Sequence, residues 1–471
     1  MNEIEKYCLN CLNKPCSAKG CPLQNDIPAF IHEKDYKKAF EILCKTTVLP
    51  AICGRICPHS KQCQASCVKG IKGKPVSIGK YESFIGDISI KENYEIPKKS
   101  NDEYNKNADV RGLNNENNIE DDSTKLKQNN IKKVAIIGSG PSGLTCGAFL
   151  AQKGIDVTIY EKCSNLGGLL LYGIPDFRLD RKIISATISK ILALGIKVKL
   201  NQELGKDFSI EDLCKKYDRI VLAIGSNEPQ ITLKGENVLS GNKLLEQINF
   251  IKYEEYKKNN ANTIHNNNNK KLDIKENNKK KSEIIEQNKI PNFKNKDIAV
   301  SGGGNVAIDI ARTLKRLGAN VKIIYRRQVE QMPAEKEELE IARQEGIEFL
   351  FQNNILSVDS ENKQIECIKT KLVLKEGEDR LSPVNIEDSN YKLKADYVIL
   401  ATGSKTNEKL LNKEKIEVNQ YGYVKIDSHY KTSNTKVYSS GDVTGSKATV
   451  AWAARTGRDV AYQILKELEN E

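Results

Sequence analysis

The sequence predicts an α/β fold with two Rossmann-like nucleotide-binding domains, one inserted in the other, behind a cysteine-rich α-helical segment. A glycine-rich turn between an apolar strand and a helical pattern occurs twice, beginning at Gly138 and at Gly302. Two similar strand segments, RIVLAIG at 219–225 and DYVILATG at 396–403, bracket the second turn. Nine of the thirteen cysteines fall in the first 67 residues, ahead of both turns. The bracketing strands are the reason to expect an inserted domain.

Composition limits the class of protein. A length of 471 residues corresponds to about three domains. No run approaches the roughly 18 apolar residues of a membrane span, and the start MNEIEKYC lacks the pattern of a signal peptide. We therefore expect a cytoplasmic protein with no membrane partner. The net charge is +12, but much of the excess lysine lies in Asn/Lys-rich tracts, so we predict solvated lysines and no nucleic-acid partner.

The first turn, KKVAIIGSGPSG, has the G-x-G-x-x-G spacing at Gly138, Gly140 and Gly143. The first glycine permits a tight turn, the second lets the backbone approach a pyrophosphate, and the third lets helix and strand pack closely. Phosphates are expected at the N-terminus of the following helix, where free N–H groups favour negative charge. The turn also supplies Pro141 and Ser142 as candidate contacts.

A carboxylate follows the second strand of this unit. The strand 156–160 ends at Glu161, about 20 residues beyond the glycines. An acid at this place is the usual partner of a ribose 2′-hydroxyl, whereas an isolated glutamate at a strand end is commonly a solvated turn residue. We predict the ribose role for Glu161.

The second turn follows the strand DIAVS and has the spacing G-x-G-x-x-A. Gly302, Gly304 and Ala307 hold the key positions, and Asn305 and Val306 lie between them. The next strand, 321–325, ends in Arg326 and Arg327 instead of an acid. Arginine there accommodates a 2′-phosphate, so this fold is predicted to bind NADP, although two arginines can also form a plain basic turn.

Low-complexity tracts divide the chain. Residues 96–130 are predicted to be a linker because they are rich in Asn, Asp, Glu and Lys, and residues 253–290 a disordered insertion in a surface loop. The predicted domains are a helical cysteine-rich domain at 1–95, a first nucleotide domain at 131–225 and 396–471, and a second at 226–395.

The early cysteines are spaced for a metal cofactor. The pattern is Cys-x2-Cys-x4-Cys-x4-Cys-Pro followed, after 35 residues, by Cys-Pro-x4-Cys-x3-Cys. Such spacing lets thiolates converge on an iron–sulfur cluster, and Cys-Pro is typical of cluster ligands. Structural zinc is the alternative. Seven well-spaced cysteines before two nucleotide folds favour redox clusters, and Cys44 and Cys53 have no clear partner in this pattern.

Together these motifs resemble the small subunit of bacterial NADPH-dependent glutamate synthase. The chain is equally similar to the large subunit of NADH-dependent ferredoxin:NADP oxidoreductase and the N-terminal half of dihydropyrimidine dehydrogenase. The resemblance rests on CLNCLNKPCSAKGCP, AICGRICPHSKQCQASC, GGLLLYGIPDFRLD, GGGNVAIDIAR, YRR with MPA, and SSGDVTGSKATVAWAARTGRDVA, in this order. It implies an α-helical iron–sulfur domain, an FAD-binding first fold and an NADP-binding second fold.

The resemblance also implies site residues. One [4Fe–4S] cluster would take Cys8, Cys11, Cys16 and Cys67, and the other Cys21, Cys57 and Cys63 with an oxygen from Glu82. For FAD it adds to the first turn the residues Gly168, Arg178, Gly441, Asp442, Thr449 and Val450. No catalytic side chain is expected, because the flavin carries hydride transfer.

The function implied is electron transfer between NADPH and an acceptor subunit, most directly the glutamate synthase large subunit, in a hetero-oligomer. The alternatives are the large subunit of a bifurcating ferredoxin:NADP oxidoreductase and the electron-input subunit of a dihydropyrimidine dehydrogenase. A disulfide reductase is disfavoured, since no Cys-x-x-Cys lies near either nucleotide turn. A hypothesis of a different class is a scaffold or sensor that binds nucleotide and clusters without turnover, and the intact glycine turns and cysteine pattern disfavour it.

Overall fold

The computed structural model describes residues 2–98, 131–259, 290–374 and 381–470. The chain forms two compact units. The first comprises Met1–Leu170, Leu179–Gly225 and Glu408–Glu471, and the second comprises Leu171–Arg178 and Ser226–Asn407. Among the described helices, none is both long and apolar enough to cross a membrane.

The elements follow in chain order. The N-terminal segment contains α1 Asn2–Tyr7, α2 Ile27–His32, α3 Tyr36–Cys44, α4 Pro50–Ile56 and α5 Ile78–Lys91. Next come β1 Lys133–Ile137, α6 Pro141–Ala151, β2 Asp156–Tyr160, α7 Leu169–Tyr172, α8 Arg181–Leu192, β3 Lys197–Lys199, α9 Ile210–Cys214 and β4 Arg219–Leu222. The middle of the chain contains β5 Glu228–Pro229, β6 Val238–Ser240, α10 Gly241–Asn259, β7 Asp297–Ser301, α11 Asn305–Arg316, β8 Asn320–Tyr325, α12 Lys336–Gln344, β9 Glu348–Phe351, β10 Asn353–Asp359, β11 Gln364–Val373, β12 Ser382–Asn385, β13 Tyr391–Lys394, β14 Tyr397–Leu400 and β15 Ser404–Lys405. The chain closes with α13 Glu408–Lys413, β16 Val437–Ser439 and α14 Val450–Glu469.

The N-terminal helices begin at clear capping signals. Asp26 and Asp35 accept backbone N–H bonds from the first turns of α2 and α3, and proline occupies the first turn of α2 and of α4. The apolar faces pack around Phe30, Leu43 and Ile52, which are fully buried. These helices hold the loops that carry the early cysteines.

A five-stranded parallel sheet forms the centre of the first unit, in the order β16-β4-β1-β2-β3. Val134 to Ile137 are buried because helices cover both faces of a parallel sheet. β1 ends at Ile137, directly before the first glycine turn, and α6 follows the turn. The turn therefore lies at the carboxyl edge of the sheet, where α/β proteins bind ligands.

The second unit repeats this arrangement with the parallel order β6-β14-β7-β8-β9. An antiparallel sheet of β10, β11, β12 and β13 adjoins it in sequence. Because β14 pairs with β6 and β7, DYVILATG is part of the second sheet. The prediction that the first nucleotide domain resumes at residue 396 is therefore wrong, and the first unit resumes at Glu408. A buried parallel strand has the same apolar pattern in either sheet.

The predicted boundaries of the low-complexity tracts also change. Ile96 is buried and the Pro97 carbonyl accepts a hydrogen bond from the Gln152 amide, so ordered structure continues past residue 95. Likewise α10 extends through Asn259, although the insertion was predicted from residue 253. The remainder of both predicted tracts, at 99–130 and 260–289, lies outside the described residues.

Candidate functional site

The three glycines of the first turn have separate structural roles. Gly138 has φ +104°, and a Cβ there would lie 2.4 Å from the Ala223 carbonyl oxygen. A Cβ on Gly143 would lie 2.0 Å from the Gly138 oxygen, so that glycine allows α6 to pack on β1. A Cβ on Gly140 would meet nothing within 4 Å. The open side of Gly140, at the N-terminus of α6, fits a phosphate held by backbone N–H groups.

Glu161 lies beside this turn and is almost fully buried. Ser139 donates its backbone N–H and its hydroxyl to Oε2 of Glu161, at 2.9 and 2.6 Å. The N–H of Cys163 donates to Oε1 at 2.9 Å. These bonds fix the carboxylate at the end of β2. They occupy both lone-pair sites of Oε2 and one of Oε1, so Oε1 keeps one site for a further donor. Gly168 packs on the same turn, since a Cβ there would lie 2.8 Å from the Gly140 Cα.

The C-terminal segment joins the first turn. Ser142 donates its hydroxyl to Oγ of Ser440 at 2.7 Å, and the N–H of Gly441, at φ +79°, donates to Oγ1 of Thr456 at 2.9 Å. Burial raises the pKa of Asp442 to about 6. Its Oδ1 is buried and has no hydrogen-bond partner among the described residues. An orphaned carboxylate oxygen here fits a ligand hydroxyl.

Helix α14 begins beside this segment. Thr449 caps it, because its side chain accepts from the Trp452 N–H, and Val450 is its first residue. Further along α14, Arg455 donates to the Pro22 carbonyl oxygen at 3.0 Å. The buried Arg458 donates to the Leu23 oxygen at 2.7 Å. The helix thereby fixes the loop that follows Cys21.

The second turn has the same construction. Gly302 has φ +144°, and a Cβ there would lie 2.4 Å from the Ala401 oxygen. A Cβ on Gly304 would meet nothing within 4 Å, as at Gly140. Ala307 is fully buried in α11, and Asn305 accepts the Glu335 N–H at 3.3 Å. Val306, partly buried, packs against the apolar core of this unit. The open space again fits a phosphate at a helix N-terminus.

Arg326 and Arg327 follow β8 directly, at the edge of the second sheet that carries this turn. The Arg326 side chain is exposed and that of Arg327 is half-buried. The Nε of Arg327 is buried without a hydrogen-bond partner among the described residues. An orphaned guanidinium donor fits an anionic ligand group.

Arg178, predicted to contact FAD, is paired with carboxylates of the second unit. It belongs to the second unit, where its Nη1 donates to Oδ2 of Asp309 at 2.9 Å and its Nε lies 3.4 Å from Glu338. Burial raises the pKa of Asp309 to about 6, against the lowering effect of Arg178. The guanidinium is thus engaged with carboxylates at and near α11, and its contact with FAD stays a prediction.

The early cysteines line two cavities in the first unit. Cys8, Cys11, Cys16 and Cys67 line the first, together with apolar residues that include Leu9 and Val68. The Cys67 sulfur accepts the Val76 N–H at 3.5 Å. This is the set that the resemblance implied for one cluster, brought together from two loops 51 residues apart in sequence, at Cys16 and Cys67.

The second cavity is lined by Cys21, Cys57, Cys63 and Glu82, the set implied for the other cluster. Cys53 and His59 line it too, and the sequence analysis assigned neither. Ala451 of α14 closes one side. Within the described ranges no three His, Cys, Asp or Glu side chains converge tightly enough for a single metal ion.

His59 contacts a predicted ligand. Its Nδ1 lies 3.4 Å from the Cys63 sulfur, and its Nε2 lies 3.2 Å from the Gly54 oxygen. A Cβ on Gly79 would lie 2.2 Å from Nε2, so this glycine makes room for the ring. No spacing rule identifies such a neighbour, because it depends on how α4 and α5 pack.

Burial controls the protonation of these groups. It raises the pKa of Cys21 to about 12 and that of Glu82 to about 8, where the Asn25 side chain has a smaller lowering effect. The pKa values of Cys8 and Cys16 are also raised, chiefly by burial. Without metal these groups are therefore protonated at neutral pH. Metal ligation requires thiolates, so cluster assembly must release protons.

Two family models match the chain. Residues 132–457 match the model described as pyridine nucleotide-disulphide oxidoreductase. The chain belongs to this family. Residues 2–94 match the model described as dihydropyrimidine dehydrogenase domain II, 4Fe-4S cluster.

Curated relatives agree with this family. The chain is 29% identical over 477 residues to the Escherichia coli K12 glutamate synthase [NADPH] small chain, covering 98% of this chain and 90% of that protein. It is also 29% identical to the NAD-dependent dihydropyrimidine dehydrogenase subunit PreT of E. coli O157:H7, covering 98% and 93% of the two chains. The resemblance deduced from the sequence motifs is confirmed.

A solved structure shares the fold. Mycobacterium tuberculosis FprA in complex with NADPH aligns with a TM-score of 0.56 at 16% identity, over 72% of this chain and 85% of that one. The predicted fold class is confirmed. As a member of its family, this oxidoreductase uses FAD and NAD(P), and its N-terminal segment belongs to a [4Fe–4S] cluster domain. These matches decide against the zinc and scaffold hypotheses.

Proposed function

We propose that this oxidoreductase is the electron-input subunit of a glutamate synthase, moving electrons from NADPH to an acceptor subunit through FAD and two [4Fe–4S] clusters. The observation that carries the proposal is that the first glycine turn and both cysteine-lined cavities belong to one compact unit. We also propose a cytoplasmic location. Cluster ligands must stay reduced, and the cytoplasm is the compartment that keeps cysteine thiols reduced.

In this proposal the first turn holds FAD, which when bound accepts hydride and releases electrons singly. The open side of Gly140 receives the pyrophosphate, with Pro141 and Ser142 at the start of α6. Glu161 accepts a ribose hydroxyl, and Asp442 meets a hydroxyl with its unpartnered Oδ1. The remaining FAD contacts are Gly138, Gly143, Gly168, Gly441, Thr449 and Val450.

The second turn holds NADPH. The open side of Gly304 receives its pyrophosphate, as Gly140 does for FAD. Arg326 and Arg327 bind the 2′-phosphate, which supplies the anionic partner that the buried Nε of Arg327 lacks. This assignment favours NADPH over NADH.

The two cavities hold the clusters on the ligand sets given above. Helix α14 connects the second cavity to the proposed FAD site, since it begins shortly after the Asp442 segment, its Ala451 lines that cavity and its Arg458 fixes the loop after Cys21. Through α14 the second cavity is linked to the residues that would hold FAD. Positioning of cofactors, without a catalytic acid or base, accounts for the reaction.

The test is reconstitution. Reduction of a dye by purified protein and NADPH measures the oxidoreductase activity. Pull-down of the native protein followed by mass spectrometry identifies the acceptor subunit. We expect a glutamate synthase large subunit, and NADPH-dependent glutamate formation when it is added back. If a host lacking the protein makes glutamate normally, the glutamate synthase assignment fails while the oxidoreductase survives.

The second candidate function is electron input to a dihydropyrimidine dehydrogenase, favoured by the similarity to PreT. A bifurcating ferredoxin:NADP oxidoreductase is the further alternative. The subunit recovered in the same pull-down distinguishes them. A dihydropyrimidine dehydrogenase partner would also predict use of NADH, which the two arginines disfavour.

A further inference from the structure

The second cavity contains a thiol outside the predicted ligand set. Cys53 lines this cavity together with Cys57 and Glu82, and it is only 1% exposed. It lies in α4, and the N–H of Cys57, which caps that helix, donates to the Cys53 carbonyl oxygen at 3.1 Å. This i,i+4 spacing places both thiols on the same side of the helix end. A buried cysteine by itself is usually a small apolar residue, so the role of Cys53 depends on its neighbours.

Close packing of α4 on α5 fixes the position of Cys53. A Cβ on Gly54, the residue after Cys53, would lie 2.3 Å from the backbone N of Ser83, the residue after Glu82. The two helices therefore approach each other at a contact that only glycine allows. Because α4 carries Cys53 and α5 carries Glu82, this contact holds both side chains in the wall of one cavity.

The thiols of Cys53 and Cys57 are hydrogen-bonded to each other. This hydrogen bond and burial raise the pKa of Cys57 well above its ordinary value. The predicted ligand set already supplies four ligands, one for each iron of a [4Fe–4S] cluster. Ligand sulfurs on different irons of such a cluster stand farther apart than two hydrogen-bonded thiols. A Cys53 that contacts Cys57 therefore suits a hydrogen-bond donor to a ligand, and not a further ligand.

We propose that Cys53 tunes the reduction potential of the second cluster, because its thiol keeps its hydrogen and donates it to the Cys57 sulfur that ligates iron. The inference deepens the proposed function and rests on it, since it needs a cluster in this cavity. A hydrogen bond to a ligand sulfur offsets part of the negative charge there, which favours the reduced cluster and raises its potential. A higher potential makes this cluster a better acceptor of one electron from the flavin, and the Cys53 thiol itself is neither oxidised nor deprotonated.

A redox titration of the holoenzyme measures this potential. Dithionite with mediators reduces the clusters at one fixed pH, and electron paramagnetic resonance follows each cluster. The signal of the second cluster is the one that the Glu82→Ala protein lacks. We expect Cys53→Ala to lower the ratio of reduced to oxidised second cluster about tenfold at a given potential, equivalent to a fall of about 59 mV for one electron. The first cluster should titrate as in wild type.

Two further variants separate tuning from packing. Cys53→Ser keeps a hydrogen-bond donor at the same position and should restore most of the wild-type potential. Cys44→Ala is the matched control, because it removes another thiol that is 1% exposed, at the end of α3. Cys44 is not among the described residues that line either cavity, so this variant should leave both potentials unchanged. All three variants should retain the iron and sulfide content of wild type.

An unchanged potential in Cys53→Ala, an equal fall for both clusters, or the same fall in Cys44→Ala or Cys53→Ser would overturn the inference. Loss of about half of the iron from Cys53→Ala would overturn it as well, because Cys53 would then be a ligand. These results leave the proposed function intact if NADPH still reduces the wild-type protein. Wild-type protein that holds no cluster in the second cavity would instead contradict the proposed function, and the inference would fail with it.

Discussion

Substitution of Gly140 separates ligand binding from folding. Gly140 has φ −66° and ψ −178°, an extended conformation that any residue adopts, and its Cβ position is empty to 4 Å. Gly140→Ala should therefore leave the free energy of unfolding of the FAD-free protein within about 1 kcal/mol of wild type, on the stabilising side. Gly143→Ala is the matched comparison. Its Cβ would lie 2.0 Å from a backbone oxygen, so we expect a loss of about 1–3 kcal/mol or more.

The affinity for FAD should respond in the opposite order from the free energy of unfolding, with the larger effect from a side chain at Gly140. A side chain at Gly140 occupies the space assigned to the pyrophosphate, and each charge-assisted hydrogen bond lost costs roughly 1.5–3 kcal/mol. Gly140→Val is thus expected to weaken FAD binding about 10- to 100-fold for each bond lost. Urea unfolding measures the stability, quenching of flavin fluorescence the affinity, and iron analysis the clusters, which should be retained. A Gly140→Val protein that binds FAD with wild-type affinity would refute the assignment of this turn.

Other predictions concern the remaining groups. Arg326→Gln with Arg327→Gln should raise KM for NADPH by roughly 10- to 100-fold, from lost bonds to the 2′-phosphate, and leave KM for NADH unchanged; equal effects on both would contradict the NADP assignment. Asp442 has a folded-state pKa of about 6, above the ordinary 3.8, because burial disfavours its charged form. The contribution of the protonated side chain to the free energy of unfolding is therefore fully present below pH 3.8 and is lost as pH rises through 6. Asp442→Asn should therefore stabilise the FAD-free protein at pH 7.5 by up to about 3 kcal/mol, with a gain that shrinks toward pH 5 in urea unfolding; a gain independent of pH would argue against burial of the charge. Glu82→Ala should remove about half of the bound iron, as loss of one of two clusters requires, whereas Ser83→Ala should retain all of it.

Local spacing predicted the glycine turns well because their chemistry is local. Gly138 needs a positive φ and Gly143 a missing Cβ, and both requirements follow from a strand, a turn and a helix in sequence. The ends of β2 and β8 were predicted in the same way, from where an apolar run stops. The structure adds that the outer faces of Gly140 and Gly304 are open, which a sequence cannot show.

Long-range packing explains what the sequence did not predict. Cys53 and His59 reach the second cavity only because α4 packs on α5, with Gly79 leaving room for the imidazole. Strand β14 has the pattern of a buried parallel strand in either sheet, and its partners β6 and β7 decide its place. The pairing of Arg178 with Asp309 could not be predicted either, because the two residues are 131 positions apart in sequence.

The most direct test of the electron path is an anaerobic titration of the purified holoenzyme with NADPH, followed by flavin absorbance and by electron paramagnetic resonance of the clusters. The account predicts that the flavin absorbance bleaches, that cluster signals then develop, and that the Gly140→Val protein shows neither although its iron is retained. An unbleached flavin, or cluster reduction by NADPH in protein that lacks FAD, would contradict it.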